Sequence, residues 1–337
     1  MSRAQLNHQN SMAEPLAELS ARLKAAADPL RIEVLRVLSR GSYGVLELCR
    51  IFDIKQSGMS HHLKVMANAG LVATRREGNS IYYRRAHFAA NHPHHSLQSA
   101  LYSAADQLDL SNEVRSRLAE IQQERAQASK VFFAENADKF RAQQDLIASY
   151  PIYGDHVSEM LAKIHPSNTD SVLEVGPGEG EFLEVLSKRF KKVYALDNSA
   201  NMLNKAKVFA ESQQLNNISF ILGDTQSVAN TNLKTTQASA IKVDCVVMNM
   251  VLHHTPSPGD IFQDLSSILK TNGNIIVTDL CRHDQQWASD ACGDLWLGFE
   301  PPEFSNWAKA AGLEEGQSNF FALRNGFQIQ FRHFFKS

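Results

Sequence analysis

At 337 residues, with 43% apolar and 21% charged residues, the chain has an ordinary globular composition and is longer than one hydrophobic core usually serves, so two domains are expected. No apolar run approaches the roughly 20 residues of a membrane-crossing helix, and Asn7, His8, Gln9 and Asn10 stand where a secretion signal carries its apolar core; both point to a cytoplasmic protein. The net charge of −2 is unevenly divided, +6 over residues 1–90 and −8 over the remainder, so only the first part suits a polyanion.

From Pro15 the spacing of Leu16, Leu19 and Leu23, then Ala25-Ala26-Ala27, predicts an amphipathic helix that Asp28-Pro29 stops. Pro29 suits the first turn of a second helix, apolar at Ile32, Val34, Leu35, Val37 and Leu38 until Gly41. A third helix covers Val45 to Phe52. A fourth, Gln56 to Met66, has Met59, Leu63 and Met66 as its buried stripe and Gln56, Ser57, Ser60, His61 and Lys64 on the opposite face. Short polar groups and a cation on one helix face suit base edges and phosphates in the major groove. Leu71 to Arg76 and Ile81 to Arg85 then read as two strands around Glu77-Gly78-Asn79-Ser80. Arg75 and Arg76 near the tip would let this hairpin grip backbone phosphate as a wing.

The run from Asp28-Pro29-Leu30-Arg31 through Ser57, Ser60-His61-His62-Leu63-Lys64 to Ala69-Gly70-Leu71-Val72 resembles the ArsR/SmtB family of dimeric repressors. The resemblance implies a winged helix-turn-helix over residues 1–90 and double-stranded operator DNA as partner. Many members of that family sense metal through two cysteines on the third helix. Here Glu47-Leu48-Cys49-Arg50-Ile51-Phe52-Asp53 keeps one, read as a small hydrophobe. His87, His92, His94 and His95 gather around Pro93 without i, i+4 spacing and read as a solvated turn, with a metal site as the alternative; no metal ligand is assigned. The other cysteines, Cys245, Cys281 and Cys292, are too scattered for a disulfide framework or a zinc motif and are expected as reduced thiols.

Residues 91–129 form a join. Leu97, Leu101, Ala104, Ala105 and Leu108, then Val114, Leu118 and Ile121, predict two helices separated near Asp109 to Asn112, where Ser111 caps the second. By the same resemblance, Leu97 to Leu108 would pair with Leu16 to Ala27 to form a homodimer.

Residues 130–337 open a different pattern. Val172-Leu173-Glu174-Val175 is an apolar run with an acid near its end, followed by Gly176-Pro177-Gly178-Glu179-Gly180 and by Phe182, Leu183, Val185 and Leu186 at helical spacing. This is strand, tight turn and helix, with glycines that let a ligand lie against bare peptide and helix N–H groups directed at it. The spacing G-x-G-x-G differs from the dinucleotide fingerprint G-x-G-x-x-G. A second run, Val193 to Leu196, ends in Asp197-Asn198, with Asp197 placed to accept from two ribose hydroxyls. A third, Ile218 to Leu222, ends in Gly223-Asp224-Thr225, where a carboxylate meets an adenine amino group. A fourth, Val243 to Met248, leads into Asn249-Met250-Val251-Leu252-His253-His254.

The series resembles the class I S-adenosylmethionine-dependent methyltransferases. It implies an α/β, Rossmann-like doubly wound domain that takes S-adenosylmethionine or S-adenosylhomocysteine on Glu174, Gly176, Gly178, Gly180, Asp197, Asn198, Asp224, Thr225 and Asn249. The string from Val131 to Phe140 resembles the mobile N-terminal segment of small-molecule methyltransferases, in which Phe132, Phe133 and Phe140 would exclude water; core packing is the other reading. Leu252-His253-His254 resembles a segment lining the site of quinone-biosynthesis and arsenite methyltransferases, making His253 and His254 candidate bases, or else packing and capping residues. Asp279, ending a fifth strand over Asn274 to Thr278, faces the acceptor side with Cys281, Arg282 and His283. Trp287, Trp296, Phe299 and Phe304 suit an apolar pocket or a core. The absence of Asn-Pro-Pro-Tyr disfavours nucleic acid bases as acceptors, and the cysteines do not form the thiol set of arsenite methyltransferases. Two functions follow: a transcriptional regulator whose methyltransferase fold reads the cofactor as effector, or an active small-molecule methyltransferase, hence a transferase, carrying a DNA-binding module.

Overall fold

The computed structural model describes residues 16–77, 80–86, 88, 91–164, 169–229 and 241–337. The chain divides into two compact units, Met1–Glu124 and Arg125–Ser337, each with its own core.

The first unit opens with helix α1 over 16–26. Asp28 then takes extended backbone and accepts the N–H of Arg31 at 3.0 Å, capping α2 (Pro29–Val37). Strand β1 (Tyr43–Gly44) leads into α3 (Val45–Phe52), where the Glu47 carboxylate accepts the N–H of Gly44 at 2.7 Å. Asp53 in left-handed backbone, φ 54°, ends α3 and turns the chain into α4 (Gln56–Asn68). Strands β2 (Val72–Glu77) and β3 (Ser80–Arg85) pair antiparallel, and β1 lies on the far side of β3. The winged helix-turn-helix is therefore present.

Helix α5 (His95–Asp106) turns inward on a polar face that apolar periodicity does not reveal. It buries Gln98, Tyr102 and Ala105, while Leu97 and Leu101 are half-buried and Leu108 is exposed. Gln98 Nε2 donates to the Gly70 carbonyl at 3.0 Å and its Oε1 accepts from the Phe88 N–H at 2.9 Å. The Tyr102 hydroxyl sits 2.6 and 2.8 Å from the carbonyls of Leu71 and Ala86, and Arg85 holds Asp106 with two nitrogens at 2.7 and 3.0 Å.

Helix α6 (Asn112–Ala148) starts under Ser111, whose Oγ accepts the Val114 N–H at 3.2 Å. It continues unbroken where the sequence reading separates Val114–Ile121 from the segment after Lys130. No glycine or proline occurs between Asn112 and Ala148, so nothing in the backbone chemistry stops it.

The second unit begins within α6 and continues into α7 (Tyr150–Ile164). Then come β4 (Thr169–Val175), α8 (Leu183–Arg189), β5 (Phe190–Asp197), α9 (Ala200–Ser212), β6 (Ile218–Leu222), α10 (Thr225–Ala229), β7 (Val243–Asn249), α11 (Pro258–Ile268) and β8 (Leu269–Leu280). Helices α12 (Trp287–Cys292) and α13 (Pro301–Ala310) precede the hairpin β9 (Glu314–Ala322) and β10 (Gln328–Phe335). The seven-stranded sheet runs β6-β5-β4-β7-β8-β10-β9, parallel through β8, with β10 antiparallel to both neighbours. Strand order reverses between β4 and β7, and in such sheets ligands bind outside the carboxyl ends at this switch point. The fold is the expected Rossmann-like one. Among the described residues no helix is long and apolar enough to cross a membrane.

Replacing Tyr102 by Phe leaves two carbonyls without their shared hydroxyl at a position 6% exposed. A loss of about 1–3 kcal/mol follows, measured as a lower urea midpoint for the first unit; an unchanged midpoint would show that these bonds contribute nothing net.

Candidate functional site

In the first unit α4 separates its faces as its sequence requires. Met59, Leu63 and Met66 are fully buried, and Gln56, Ser57, Ser60, His61 and Lys64 are all exposed. The hairpin departs from expectation. Side chains alternate across a strand, so Arg76 is exposed while Arg75 is 4% exposed. Arg75 is therefore corrected from a phosphate contact to a buried residue of β2. Gly78 and Asn79 at the tip, and His87, lie outside the described residues. His92 stacks on Phe88 with ring centroids 3.9 Å apart, and its Nδ1 accepts the His94 N–H at 3.1 Å. Cys49 packs half-buried against the core, and burial raises its thiol.

The second unit gathers its candidate residues at the carboxyl ends of four parallel strands. After β4, Gly176, Gly178 and Gly180 all have positive φ, at 65°, 58° and 93°, but they answer to different constraints. A Cβ on Gly176 would stand 2.7 Å from the Val251 side chain, and one on Gly180 would stand 3.0 Å from the backbone of Ala206 in α9. At Gly178 a Cβ would meet nothing within 4 Å among the described residues.

Glu174, 2% exposed near the end of β4, has one carboxylate oxygen without a hydrogen-bond partner. Burial pushes it up to about 8, against the lowering influence of the Asn249 amide. Asn249, 8% exposed at the end of β7, has neither amide atom satisfied by the described protein atoms. Buried polar groups are normally paired. Sequence reasoning missed Tyr150 and Tyr153 of α7, whose phenols are raised by burial and by the charge of Glu174; no spacing connects them to the glycine turn.

Asp197 ends β5, where burial pushes it up to about 6 against hydrogen bonds from the backbone of Ser199, at 2.8 Å, and Asn198. Asn198 itself is exposed. After β6 the exposed Asp224 accepts the Ser227 N–H at 2.9 Å, starting α10, and the Thr225 hydroxyl donates to Asp264 at 2.7 Å. Phe132 and Phe133 of α6 pack against Met202 of α9. The side chain of Phe140 lies outside the described residues.

The segment after β7 is bent sharply. Met250 takes φ 55°, and Leu252–His254 form a 3-10 turn. His253 and His254 are both buried, at 1% and 7% exposure. His253 Nδ1 lies 2.7 Å from Asp279. Burial opposes its charge, but Asp279 and Asp294 outweigh burial and raise it to about 9. Burial, then the neighbouring His253, hold His254 well below the usual imidazole value. Trp296, Phe299 and Phe304 are core residues, at 3%, 1% and 0% exposure, whereas Trp287 is half-exposed against Phe327. Cys281 and His283 are buried near the same strand end, and the Arg282 N–H donates to the Phe299 carbonyl.

The methyltransferase domain family matches residues 118–316, and the bacterial regulatory protein, arsR family, matches residues 28–74. The chain belongs to the methyltransferase-domain family. Its first unit carries an ArsR-type helix-turn-helix, 40% identical over 70 residues to an arsenical resistance operon repressor of Staphylococcus xylosus, covering 21% of this chain and 67% of the repressor. The methyltransferase part is 25% identical over 155 residues to a ubiquinone biosynthesis O-methyltransferase of Coxiella burnetii, covering 42% of this chain and 62% of that enzyme. A solved S-adenosylmethionine-dependent methyltransferase from Aquifex aeolicus is 20% identical, covers 52% of this chain and 87% of its own, and superposes with a TM-score of 0.40.

The raised carboxyl of Glu174 gives a pH signature. Its folded value of about 8 exceeds the ordinary 4.5, so between these pH values the folded chain holds a proton that the unfolded chain has lost. Stability from this group is complete below the ordinary value and is lost as pH rises through about 8, with a slope of up to about 1.4 kcal/mol per pH unit. Chemical denaturation from pH 5.5 to 8.5 should show a decline in the natural chain that Glu174→Gln lacks; parallel curves would mean that Glu174 ionises normally.

Proposed function

We propose that the protein is an ArsR-type, DNA-binding transcriptional regulator whose methyltransferase-fold unit binds S-adenosylmethionine or S-adenosylhomocysteine as effector. The observation that carries the cofactor reading is that Glu174 and Asn249, on the two strands that flank the switch point, hold buried polar atoms without hydrogen-bond partners, and that Gly178 in the turn after the first of these strands has an open face. These residues fit a ligand that brings both hydrogen-bond donors and acceptors. Asp197 would hold its ribose, and Asn198 and Asp224 its adenosine end; Gly176 and Gly180 shape the turn, and Thr225 positions α10 through Asp264. When bound, the cofactor supplies an electrophilic methyl group. Phe132 and Phe133 exclude water on the α9 side. Sensing is preferred to turnover because the two candidate bases are enclosed, His253 being held by Asp279. The tethered-enzyme alternative, with a small-molecule methyl acceptor, draws on the similarity to an O-methyltransferase. Dimerisation through residues 16–27 and 97–108 is favoured by exposed Leu16, Leu23 and Leu108.

The operator contacts divide by chemistry. Arg76→Ala should weaken binding to every DNA sequence and lower the salt slope by about one phosphate equivalent, whereas Ser60→Ala or His61→Ala should relax sequence preference. Buried Arg75→Ala should lower the stability of the first unit and leave the salt slope intact. A salt slope that responds to Arg75 and not to Arg76 would invert this assignment of the hairpin faces.

Asp197 decides between sensor and enzyme. Loss of even one charged hydrogen bond to ribose costs about 1.5–3 kcal/mol, roughly a tenfold weaker ligand or more. An effector acts only through its difference in affinity between two states. Asp197→Ala should therefore leave ligand-free operator affinity unchanged and blunt the response to S-adenosylhomocysteine, read by fluorescence anisotropy on a palindromic operator at two chains per site. If the natural chain binds S-adenosylhomocysteine with no change in operator affinity, sensing of that ligand is excluded and turnover gains.

A further inference from the structure

His253, His254 and Asp294 place two ring nitrogens and one carboxylate oxygen within 4.8 Å of one another. His253 Nε2 lies 3.8 Å from Asp294 Oδ1, and His254 Nδ1 lies 3.5 Å from the same oxygen and 3.4 Å from the Gly293 carbonyl, an acceptor that this nitrogen leaves when it gives up its proton to an ion. Around a tetrahedral ion with ligand bonds of about 2.0–2.1 Å, neighbouring ligand atoms stand about 3.3 Å apart. A contraction of a few tenths of an ångström therefore brings the two histidine–carboxylate pairs to coordination distance, while the two ring nitrogens stand within 4.8 Å of one another and close on the ion by a turn of the His254 ring.

The surroundings fix the ligands. Asp279 lies 2.7 Å from His253 Nδ1, so that ring keeps its proton on Nδ1 and, once an incoming cation displaces the proton on Nε2, binds through Nε2, the arrangement of a carboxylate behind a metal-bound imidazole. Asp279 is itself held by the N–H groups of Leu252 at 2.9 Å and Leu280 at 2.8 Å. The His253 carbonyl accepts from the N–H groups of Leu295 and Trp296 at 2.9 and 3.1 Å, joining the two ligand-bearing segments. All three ligand residues are at most 7% exposed. A sequence reading could not join Asp294 to the histidines, because it lies 40 positions beyond His254 and no motif spacing marks it.

We propose that His253, His254 and Asp294 bind one first-row divalent transition cation, with zinc the probe of choice and Asp279 the positioning residue behind His253. Two imidazoles and a carboxylate suit zinc and its neighbours, whereas magnesium and calcium prefer all-oxygen sites. Three protein ligands leave a fourth position for water or an oxygen of a bound small molecule. The site is independent of whether the unit senses its ligand or turns it over.

The test uses the full chain, stripped with a chelator and titrated with zinc against a chromophoric indicator, with folding of each variant checked by far-ultraviolet circular dichroism. The natural chain should bind zinc at a site that His254→Gln and Asp294→Asn each weaken by roughly 100-fold or more and Asp279→Asn by about 10–100-fold; excess magnesium should not compete. X-ray absorption of the zinc-loaded natural chain should show nitrogen and oxygen neighbours only, a readout that stands if a variant fails to fold. Failure of the natural chain to compete with the indicator, zinc affinity unchanged in folded Asp294→Asn, or sulfur in the first coordination shell would each overturn the proposal.

Discussion

The candidate site of the second unit depends on one buried carboxylate. Asp279 is fully enclosed, and such a charge is costly unless its oxygens are satisfied. Two backbone N–H groups and an imidazole satisfy it. Those donors come from the end of β8 and from the turn beyond β7, so the carboxylate ties the exits of two adjacent central strands. The chain leaving β7 is held a second time by the Met250 N–H, 2.7 Å from the Thr278 carbonyl, which fixes Met250 in its left-handed conformation. Asn249 is thereby kept at the strand end beside Glu174, and the histidines are carried inward instead of toward solvent.

Much of this was legible in the sequence wherever the governing physics is local. The stop at Asp28-Pro29, the limits of α3 and the buried stripe of α4 follow from capping, left-handed turns and a 3.6-residue period. The glycine turn and four successive strand ends gave the switch point, because parallel strands buried on both faces read as continuous apolar runs. The inward face of α5 was not legible: Gln98 and Tyr102 are buried by hydrogen bonds to carbonyls elsewhere in the fold, while the leucines that carry the period stay partly exposed. Arg75 was misplaced for a related reason, since its hairpin position is visible in sequence but the register that turns it inward is set by pairing with Tyr82. Tyr153 and Asp294 are brought to the site by long-range packing alone.

The separate cores have a thermodynamic corollary. Each unit buries its own apolar set, so heat or denaturant need not unfold the chain in a single transition, and one midpoint for the whole protein is not a defined quantity. The charge division has a similar local meaning: the excess of lysine and arginine belongs to the unit that presents α4 and Arg76, while the acidic excess belongs to the unit whose buried carboxylates satisfy backbone and imidazole donors.

The three glycines of the turn face unequal evolutionary pressures. Gly180 is barred from change by the backbone of α9 and Gly176 by Val251, so both are demanded by the folded chain whatever it binds. Among the described residues nothing stands within 4 Å of a Cβ at Gly178, whose constraint is its φ of 58°, a conformation that asparagine tolerates. On the cofactor reading proposed above, a lineage that abandoned the ligand would let Gly178 drift while its two neighbours stayed fixed. Across descendants of this chain, that one position would then record whether the proposed crevice had remained in use.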